Sequence, residues 1–169
     1  YFTTGMLDFA KSDAELASVM AHEMIHAENS HGMIQSARNE RLSLLALAVA
    51  VASRGETAAM IMANIAQVAI LNAYGRDLEK EADLGALRIL HASGFPVAAA
   101  VTVMERLAEE QLKHPYVNPG VFMDHPEIPE RIGYMVKFIR DSGWALHRKE
   151  PLHLLRICIE PQGDRLLMT

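Results

Sequence analysis

The sequence predicts an α+β fold that is mostly helical, with a small N-terminal sheet and a C-terminal hairpin. Three observations support this class. Helix start and stop signals recur along the chain, residues 1–7 alternate as a strand does, and two short apolar runs near the end flank the turn-like segment PQGD. Half of the 169 residues are apolar, which suffices for one core. We therefore expect a single domain over 1–169, with 145–169 as an extension.

The first predicted element is the strand over residues 1–7. Thr3 and Thr4 favour extended backbone, and Gly5 marks a bulge or a close backbone approach. Because this strand lies just before a long helix, its edge could pair with an extended peptide, with Thr3, Thr4, Gly5 and Met6 binding the substrate. A purely structural edge strand is the alternative.

The helices are predicted from capping and breaking residues. The segment SDAE, residues 12–15, is a capping-box pattern that starts a helix running to about Asn29. Residues 114–128 are rich in proline and predict a loop. Further helices are expected over 36–53, over 57–74, from about Asp77 to the stop at Gly94 and Pro96, over 97–113, and from Pro129 to about Gly143.

Composition narrows the classes of partner. The net charge is −5 and the sequence has no basic stripe, so nucleic acid is not expected as a partner. Cys158 is the single cysteine, which excludes a disulfide framework and a cysteine-based metal site. The chain begins with Tyr1 rather than Met, and we expect it to be a fragment whose upstream part is missing.

Two apolar stretches, residues 42–53 and 57–74, raise the question of membrane contact. The first is much shorter than the roughly 20 residues that a membrane span requires. The second carries Asn64, Gln67 and Asn72. The sequence therefore leaves two interpretations: helices that are buried or cover a groove, or contact of 42–74 with a membrane surface.

The segment HEMIH, residues 22–26, lies in the second half of the helix that begins after Ser12. His22 and His26 are four residues apart, so their imidazoles project from one helix face and can meet one metal ion. Glu23 lies about 100° further round the helix, where it can act on a water molecule but not readily as a ligand. The pattern predicts a zinc site with Glu23 as catalytic base. Two partly buried histidines bonded to carbonyl groups are the alternative.

The third zinc ligand is predicted on a second helix. Glu79 and Asp83 are four residues apart in RDLEKEADLGAL and share a face. Glu79 can supply a carboxylate oxygen, and Asp83 can accept the remaining ring N–H of a ligating histidine. Glu81 points to the opposite side, and His31 is expected near a helix end rather than at the metal. A solvated face of charges is the alternative for this segment.

Three blocks carry a resemblance to a known family: TTGML…SDAELASVMAHEMIHAENSH, then YGRDLEKEADLGALRIL, then DHPEIPERI. In this order, over residues 1 to about 140, they resemble soluble members of the metallopeptidase family of the CAAX prenyl protease, HtpX and BepA. The resemblance implies a zincin-like domain of the gluzincin type, with Glu23 as base and Asp83 behind a ligand. It implies one Zn²⁺ per chain, held by His22, His26 and Glu79.

The third block also draws attention to His125. The family pattern His-Pro…Arg matches His125, Pro126 and Arg131, which implies that His125 lies near the metal. It would there stabilise the oxyanion or occupy a fourth ligand position in a closed form. Arg131 is expected to pair with a carboxylate and so orient the loop. Without the resemblance, a surface-loop histidine is the alternative.

The function expected from these observations is zinc-dependent hydrolysis of peptide bonds in extended or misfolded polypeptides. We expect a role in protein quality control in the bacterial envelope or periplasm, with a cytoplasmic or membrane-associated location as the alternative. Two other functions compete. One is a latent or regulatory protein whose site is blocked by helix 57–74 or by His125, and the other is a helical module without metal. The oligomeric state is left open.

Overall fold

The computed structural model describes residues 3–113 and 128–146, and within these ranges the chain is helical. The mostly helical character predicted from the sequence is confirmed. The predicted C-terminal hairpin, the predicted loop up to residue 127 and most of the extension 145–169 lie outside the described residues. The six helices are α1 (Thr4–Phe9), α2 (Asp13–Glu28), α3 (His31–Ala52), α4 (Thr57–Ala92), α5 (Ala98–Lys113) and α6 (Ile128–Asp141).

The N-terminal strand is not seen, and this prediction is wrong for the described residues. The backbone from Thr4 is helical, and the Thr3 hydroxyl caps α1 by accepting a hydrogen bond from the Met6 N–H at 3.2 Å. Thr3 thus favours a helix start as readily as a strand. The described residues contain no strand with which 3–6 could pair, so the local cap decides the conformation.

Helix α2 begins as the capping pattern predicts. The Ser12 side chain accepts a hydrogen bond from the Glu15 N–H at 3.2 Å. Glu15 reaches back to the N–H of Lys11 at 2.8 Å rather than to that of Ser12. Its other oxygen accepts a hydrogen bond from Arg106 of α5 at 2.7 Å. This buried glutamate therefore caps α2 and also ties its first turn to α5.

The core lies between the second half of α4, α5 and α6. Its largest fully buried side chains come from all three helices. Helix α2 packs on α4 and α5 and thereby lies over one side of this core. The buried apolar cluster comprises Leu87, Leu90, Val97, Ala100, Val101, Leu107, Ala108, Ile128, Ile132, Met135, Val136 and Ile139.

Helix α4 is one continuous helix of 36 residues, whereas the sequence predicted two helices that meet near Asp77. Gly75 lies between the two predicted helices, and a single glycine inside a helix is tolerated at a cost of about 1 kcal/mol. No proline lies between Thr57 and Ala92 to stop the helix. Continuity matters because it connects the core half of α4 rigidly to its apolar N-terminal half.

Residues 42–74 form most of a helical hairpin made of α3 and the first half of α4. Its tip is Arg54-Gly55, where both residues have positive φ. The expectation that these helices are buried is wrong, because none of the described side chains over 42–74 is buried. Helix α4 is long and apolar enough to cross a membrane, and none of its most apolar 18-residue window is buried.

Candidate metal centre

Two facing helices carry the candidate site. Helix α2 supplies His22 and His26 one turn apart, and α4 supplies Glu79 and Asp83 with the same spacing. The helices approach closely because α4 has a glycine at the crossing. A Cβ atom added to Gly85 would lie 2.7 Å from the Cγ1 atom of Ile25.

Three side chains converge between the helices. The Nε2 atoms of His22 and His26 lie 3.0 Å apart. The Glu79 carboxylate lies 3.2 Å from Nε2 of His26 and 3.6 Å from Nε2 of His22. These donor atoms all lie within 4.8 Å of one another. Donors bound to one tetrahedral zinc ion at about 2.1 Å are about 3.4 Å apart, so the arrangement fits this metal.

The ring nitrogen of His22 that points away from this cluster is held by a carboxylate. Its Nδ1 lies 3.0 Å from Oδ1 of Asp83. An N–H at Nδ1 donating to the carboxylate leaves the lone pair of Nε2 facing Glu79 and His26. This is the tautomer that a metal ligand requires.

Arg131 of α6 joins the two carboxylates of α4. It donates to both oxygens of Asp83, from Nε at 2.8 Å and from Nη2 at 2.7 Å, and its Nη1 lies 3.0 Å from Oε2 of Glu79. The Tyr134 hydroxyl also donates to Asp83. These contacts fix the orientation of both acidic side chains from behind. Pairing of Arg131 with a carboxylate was expected, but its effect on the loop 114–128 lies outside the described residues.

The buried acid–base pair shifts the pKa of both partners. Burial alone would raise the pKa of Asp83, but hydrogen bonds from His22 and Arg131 and the arginine charge outweigh it, so the pKa lies below its usual value. Burial would lower the pKa of Arg131, and Asp83 raises it above its usual value. Burial and the Asp83 charge raise the pKa of Tyr134. Asp83 and Arg131 are thus an ion pair, and Tyr134 is a neutral donor.

His31 lies behind His26 in the way that Asp83 lies behind His22. Ser30 adopts a left-handed conformation with φ of 53°, which turns the chain between α2 and α3 and directs His31 back toward the site. The Nδ1 atoms of His31 and His26 lie 3.0 Å apart, and His31 is only 2% exposed. The sequence placed His31 at the C-terminal end of α2, whereas it is the first residue of α3.

Glu81 supports this contact from outside the converging cluster. Its carboxylate accepts a hydrogen bond from the Asn29 side chain at 2.7 Å and lies 3.6 Å from Nε2 of His31. Glu81 was expected on the side of the helix opposite to Glu79 and Asp83; it is not one of the converging donors, but its carboxylate reaches toward Asn29 and His31. Its side chain is more than half exposed, at 57%.

Glu23 is exposed and borders an apolar hollow beside His22. Met6 of α1 also borders this hollow, whereas Thr3, Thr4 and Gly5 are not among the residues that line it. A role for Thr3, Thr4 and Gly5 as a substrate-binding edge has therefore lost its basis, since the strand is absent. His125 lies outside the described residues. The apolar side chains around the hollow include Val19, Val103, Met104, Leu107, Ile128 and Met135.

Two residues of the site escaped the sequence argument. His31 is nine residues after His22, a spacing that does not match helical periodicity, so only the turn at Ser30 brings it to the site. Tyr134 lies three residues after Arg131 on α6, and their shared helix face was the one signal that could have indicated it. The position of His31 cannot be found without the tertiary packing.

A helical domain that brings two histidines of a His-Glu-x-x-His segment next to a glutamate from a second helix is that of a metallopeptidase. The family described as Peptidase family M48 matches residues 1–138. The chain belongs to this family, and the resemblance noted in its sequence is confirmed.

Two curated proteins illustrate the relationship. The chain is 33% identical over 143 residues to a "Putative beta-barrel assembly-enhancing protease" of Vibrio cholerae, covering 76% of this chain and 28% of that protein. It is 28% identical over 135 residues to the beta-barrel assembly-enhancing protease of Escherichia coli O157:H7, covering 75% and 27%. The chain therefore spans under a third of the length of these relatives. No solved structure gave a significant match.

Proposed function

We propose that this chain is a zinc-dependent endopeptidase in which His22, His26 and Glu79 hold one Zn²⁺. The observation that carries the proposal is the convergence of their donor atoms within 4.8 Å, together with a partner behind each ligand. Asp83 lies behind His22, His31 behind His26, and Arg131 behind Glu79. Charged residues on a solvated surface do not need a buried hydrogen-bond partner, whereas metal ligands usually have one.

Each backing contact sets the state of one ligand. Asp83 keeps the proton of His22 at Nδ1, so that Nε2 is free of a proton. In the same way His26 donates from Nδ1 to Nδ1 of His31, and Nε2 of His31 then faces the Glu81 carboxylate. Arg131 holds Oε2 of Glu79 and leaves Oε1 as the oxygen nearer to His26. The bound zinc would supply Lewis acidity for peptide hydrolysis.

Glu23 is the proposed base. It follows the first ligand on α2, is exposed, and borders the hollow in which a substrate could lie. It would take a proton from the attacking water as the oxygen bonds to the carbonyl carbon. It would then pass this proton to the amine nitrogen as the C–N bond breaks. The apolar lining next to Glu23 favours a substrate with an apolar side chain near the scissile bond.

Extended or misfolded polypeptides are the proposed substrates, with a role in envelope protein quality control. The names of the two relatives, which refer to beta-barrel assembly, support this choice. The described structure favours an open site over one blocked by residues 57–74, because none of these residues borders the hollow beside Glu23. His125, the other proposed blocker or oxyanion donor, stays a prediction.

The test is cleavage of casein by the zinc-loaded protein and by Glu23→Gln. We expect the variant to retain one zinc per chain and to lose hydrolysis, because Glu23 moves protons and does not bind metal. Glu28→Gln, at another exposed glutamate of α2, is the matched control and should cleave normally. Turnover near the parent rate in Glu23→Gln, or zinc well below one per chain in the parent, would contradict the proposal.

A further inference from the structure

The α3–α4 hairpin exposes large apolar side chains that no described element covers. On α3 these are Leu44, Leu45, Leu47, Val49 and Val51, which are 40–71% exposed. On α4 they are Met60, Ile61, Met62, Ile65, Val68 and Ile70, which are 40–65% exposed. An apolar surface of this size on a water-soluble protein marks an interaction site.

The hairpin has small and polar residues between its helices and large apolar residues on its outside, which is the reverse of the pattern in a water-soluble helix pair. Between residues 42 and 75 the positions that face the partner helix are the half-buried ones, and five of these nine are alanine or glycine. Gln67 lies in this seam and donates hydrogen bonds to Asn39 at 3.3 Å and to Ser43 at 3.1 Å. Small and hydrogen-bonding residues between two helices, with large apolar residues outside, are typical of helix pairs in lipid. The nine half-buried positions are Leu42, Ala46, Ala50, Ser53, Ala59, Ala63, Gln67, Leu71 and Gly75.

The distribution of the exposed residues decides what could cover them. At about 100° per residue, those on each helix extend over more than half of its circumference. A single docked protein or a second copy of this chain would cover one side and leave the other in water. A helix that is apolar over most of its surface is buried in a large core or in a membrane.

We propose that this hairpin inserts into one leaflet of a lipid bilayer, with acyl chains around its outer faces. The charge-free segment from Leu42 to Ser53, which is the end of α3 and its C-cap, is about 18 Å long, whereas the hydrocarbon core is about 30 Å thick. Helix α4 alone is long enough to cross a membrane, but it would insert together with α3, and Arg41 and Arg54 limit the uncharged part of the pair to about 18 Å. The pair is therefore too short to span and long enough for one leaflet.

Charged and aromatic side chains define both ends of the inserted part. Arg54 and Glu56 lie at the tip, and Arg41 lies at the other end of the charge-free part of α3. Near this second end the Arg38 guanidinium lies 4.0 Å above the ring of Tyr74. Arginine and tyrosine are favoured at the level of the headgroups, where long side chains extend toward water. An oblique orientation lets both ends reach the headgroups while the middle lies among acyl chains.

The test uses flotation of the purified 169-residue chain with phosphatidylcholine vesicles. We expect binding to this neutral lipid, because apolar burial drives it. The affinity of the double variant Leu47→Glu/Ile65→Glu for vesicles should fall by at least about tenfold, since both side chains are exposed and would enter the acyl region. The control Leu112→Glu, which changes a 70% exposed leucine on α5, should bind as the parent does.

Depth is measured with Val68→Trp and lipids that carry bromine on their acyl chains. Trp144, which stacks on His91 in the core half of the domain, serves as the internal reference that is not quenched. Quenching of the new tryptophan supports insertion. Binding without quenching would mean adsorption at the surface and would overturn the proposal.

If a partner other than lipid covers the hairpin, the experiments give different results. If the parent does not bind vesicles, the proposal fails. If it is then a dimer that Leu47→Glu/Ile65→Glu dissociates, a second copy covers the hairpin. Because Glu23→Gln should bind vesicles as the parent does, loss of membrane binding and loss of peptidase activity are separate outcomes.

Discussion

The Nδ1 atoms of His26 and His31 lie 3.0 Å apart, with the two rings nearly perpendicular and His31 almost fully buried. A histidine that is not a proposed ligand therefore lies directly behind one that is. Burial and the neighbouring His26 lower the pKa of His31, which keeps its ring neutral and able to accept a hydrogen bond. In the proposed site this contact would orient the His26 ring and keep its proton on Nδ1, the nitrogen away from Glu79.

His31→Ala should therefore weaken zinc binding by about 10–100-fold, the usual effect of losing the partner of a ligating histidine. Competition with a chromophoric chelator measures this affinity without relying on activity. His31→Asn, whose side-chain oxygen can accept the same hydrogen bond, should recover part of the loss. His91→Ala removes an exposed histidine that stacks on Trp144 and should leave zinc affinity unchanged. Equal affinities for the parent and His31→Ala would show that the contact does not position His26.

Prediction from the sequence succeeded where helical periodicity alone decides the geometry. His22 and His26, like Glu79 and Asp83, share a face because each pair is four residues apart, and the structure brings the pairs together. Prediction failed where a turn or a local capping hydrogen bond decides the conformation. A left-handed Ser30 brings His31 to the site, and a Thr3 cap makes residues 4–9 a helix in place of a strand.

Asp83 links the proposed ligand His22 to the buried Arg131. Asp83→Asn should weaken zinc binding by about 10–100-fold, because the amide can no longer attract the N–H of His22 as a carboxylate does. It should also lower the free energy of unfolding of the metal-free protein by at most about 3–5 kcal/mol, since Arg131 would lose one of its two carboxylate partners and keep the other. Chelator competition and urea unfolding in the presence of EDTA measure the two effects separately.

Asp77→Asn is the matched control for this prediction. Asp77 lies on the same helix and is exposed, so both zinc affinity and unfolding should stay at parent values. If Asp83→Asn lowers stability but leaves zinc affinity unchanged, Asp83 serves only the core ion pair. Its proposed role behind His22 would then be wrong.

The last prediction concerns the crossing of α2 and α4, on which the distance between the two ligand pairs depends. Gly85 lets Ile25 approach so closely that an added Cβ would lie 2.7 Å from Cγ1 and 2.8 Å from Cδ1 of that side chain. Gly85→Ala should therefore lower the free energy of unfolding by about 1–3 kcal/mol, because overpacking forces side chains or helices to shift. It should also weaken zinc binding, since the shift separates His26 from Glu79.

Gly75→Ala on the same helix is the control that separates steric overpacking by the added Cβ from the effect of replacing a helical glycine by alanine. A Cβ at Gly75 meets no atom within 4 Å, so this change should raise the free energy of unfolding by up to about 1 kcal/mol through helix propensity. Urea unfolding and chelator competition on both variants check the opposite signs. The smaller side chain of Ile25→Val, introduced together with Gly85→Ala, should restore part of the lost stability and zinc affinity, because it removes the Cδ1 methyl. Parent-like stability and zinc affinity in Gly85→Ala would mean that the helices have room to spare, and that the spacing of the ligand pairs does not depend on this glycine.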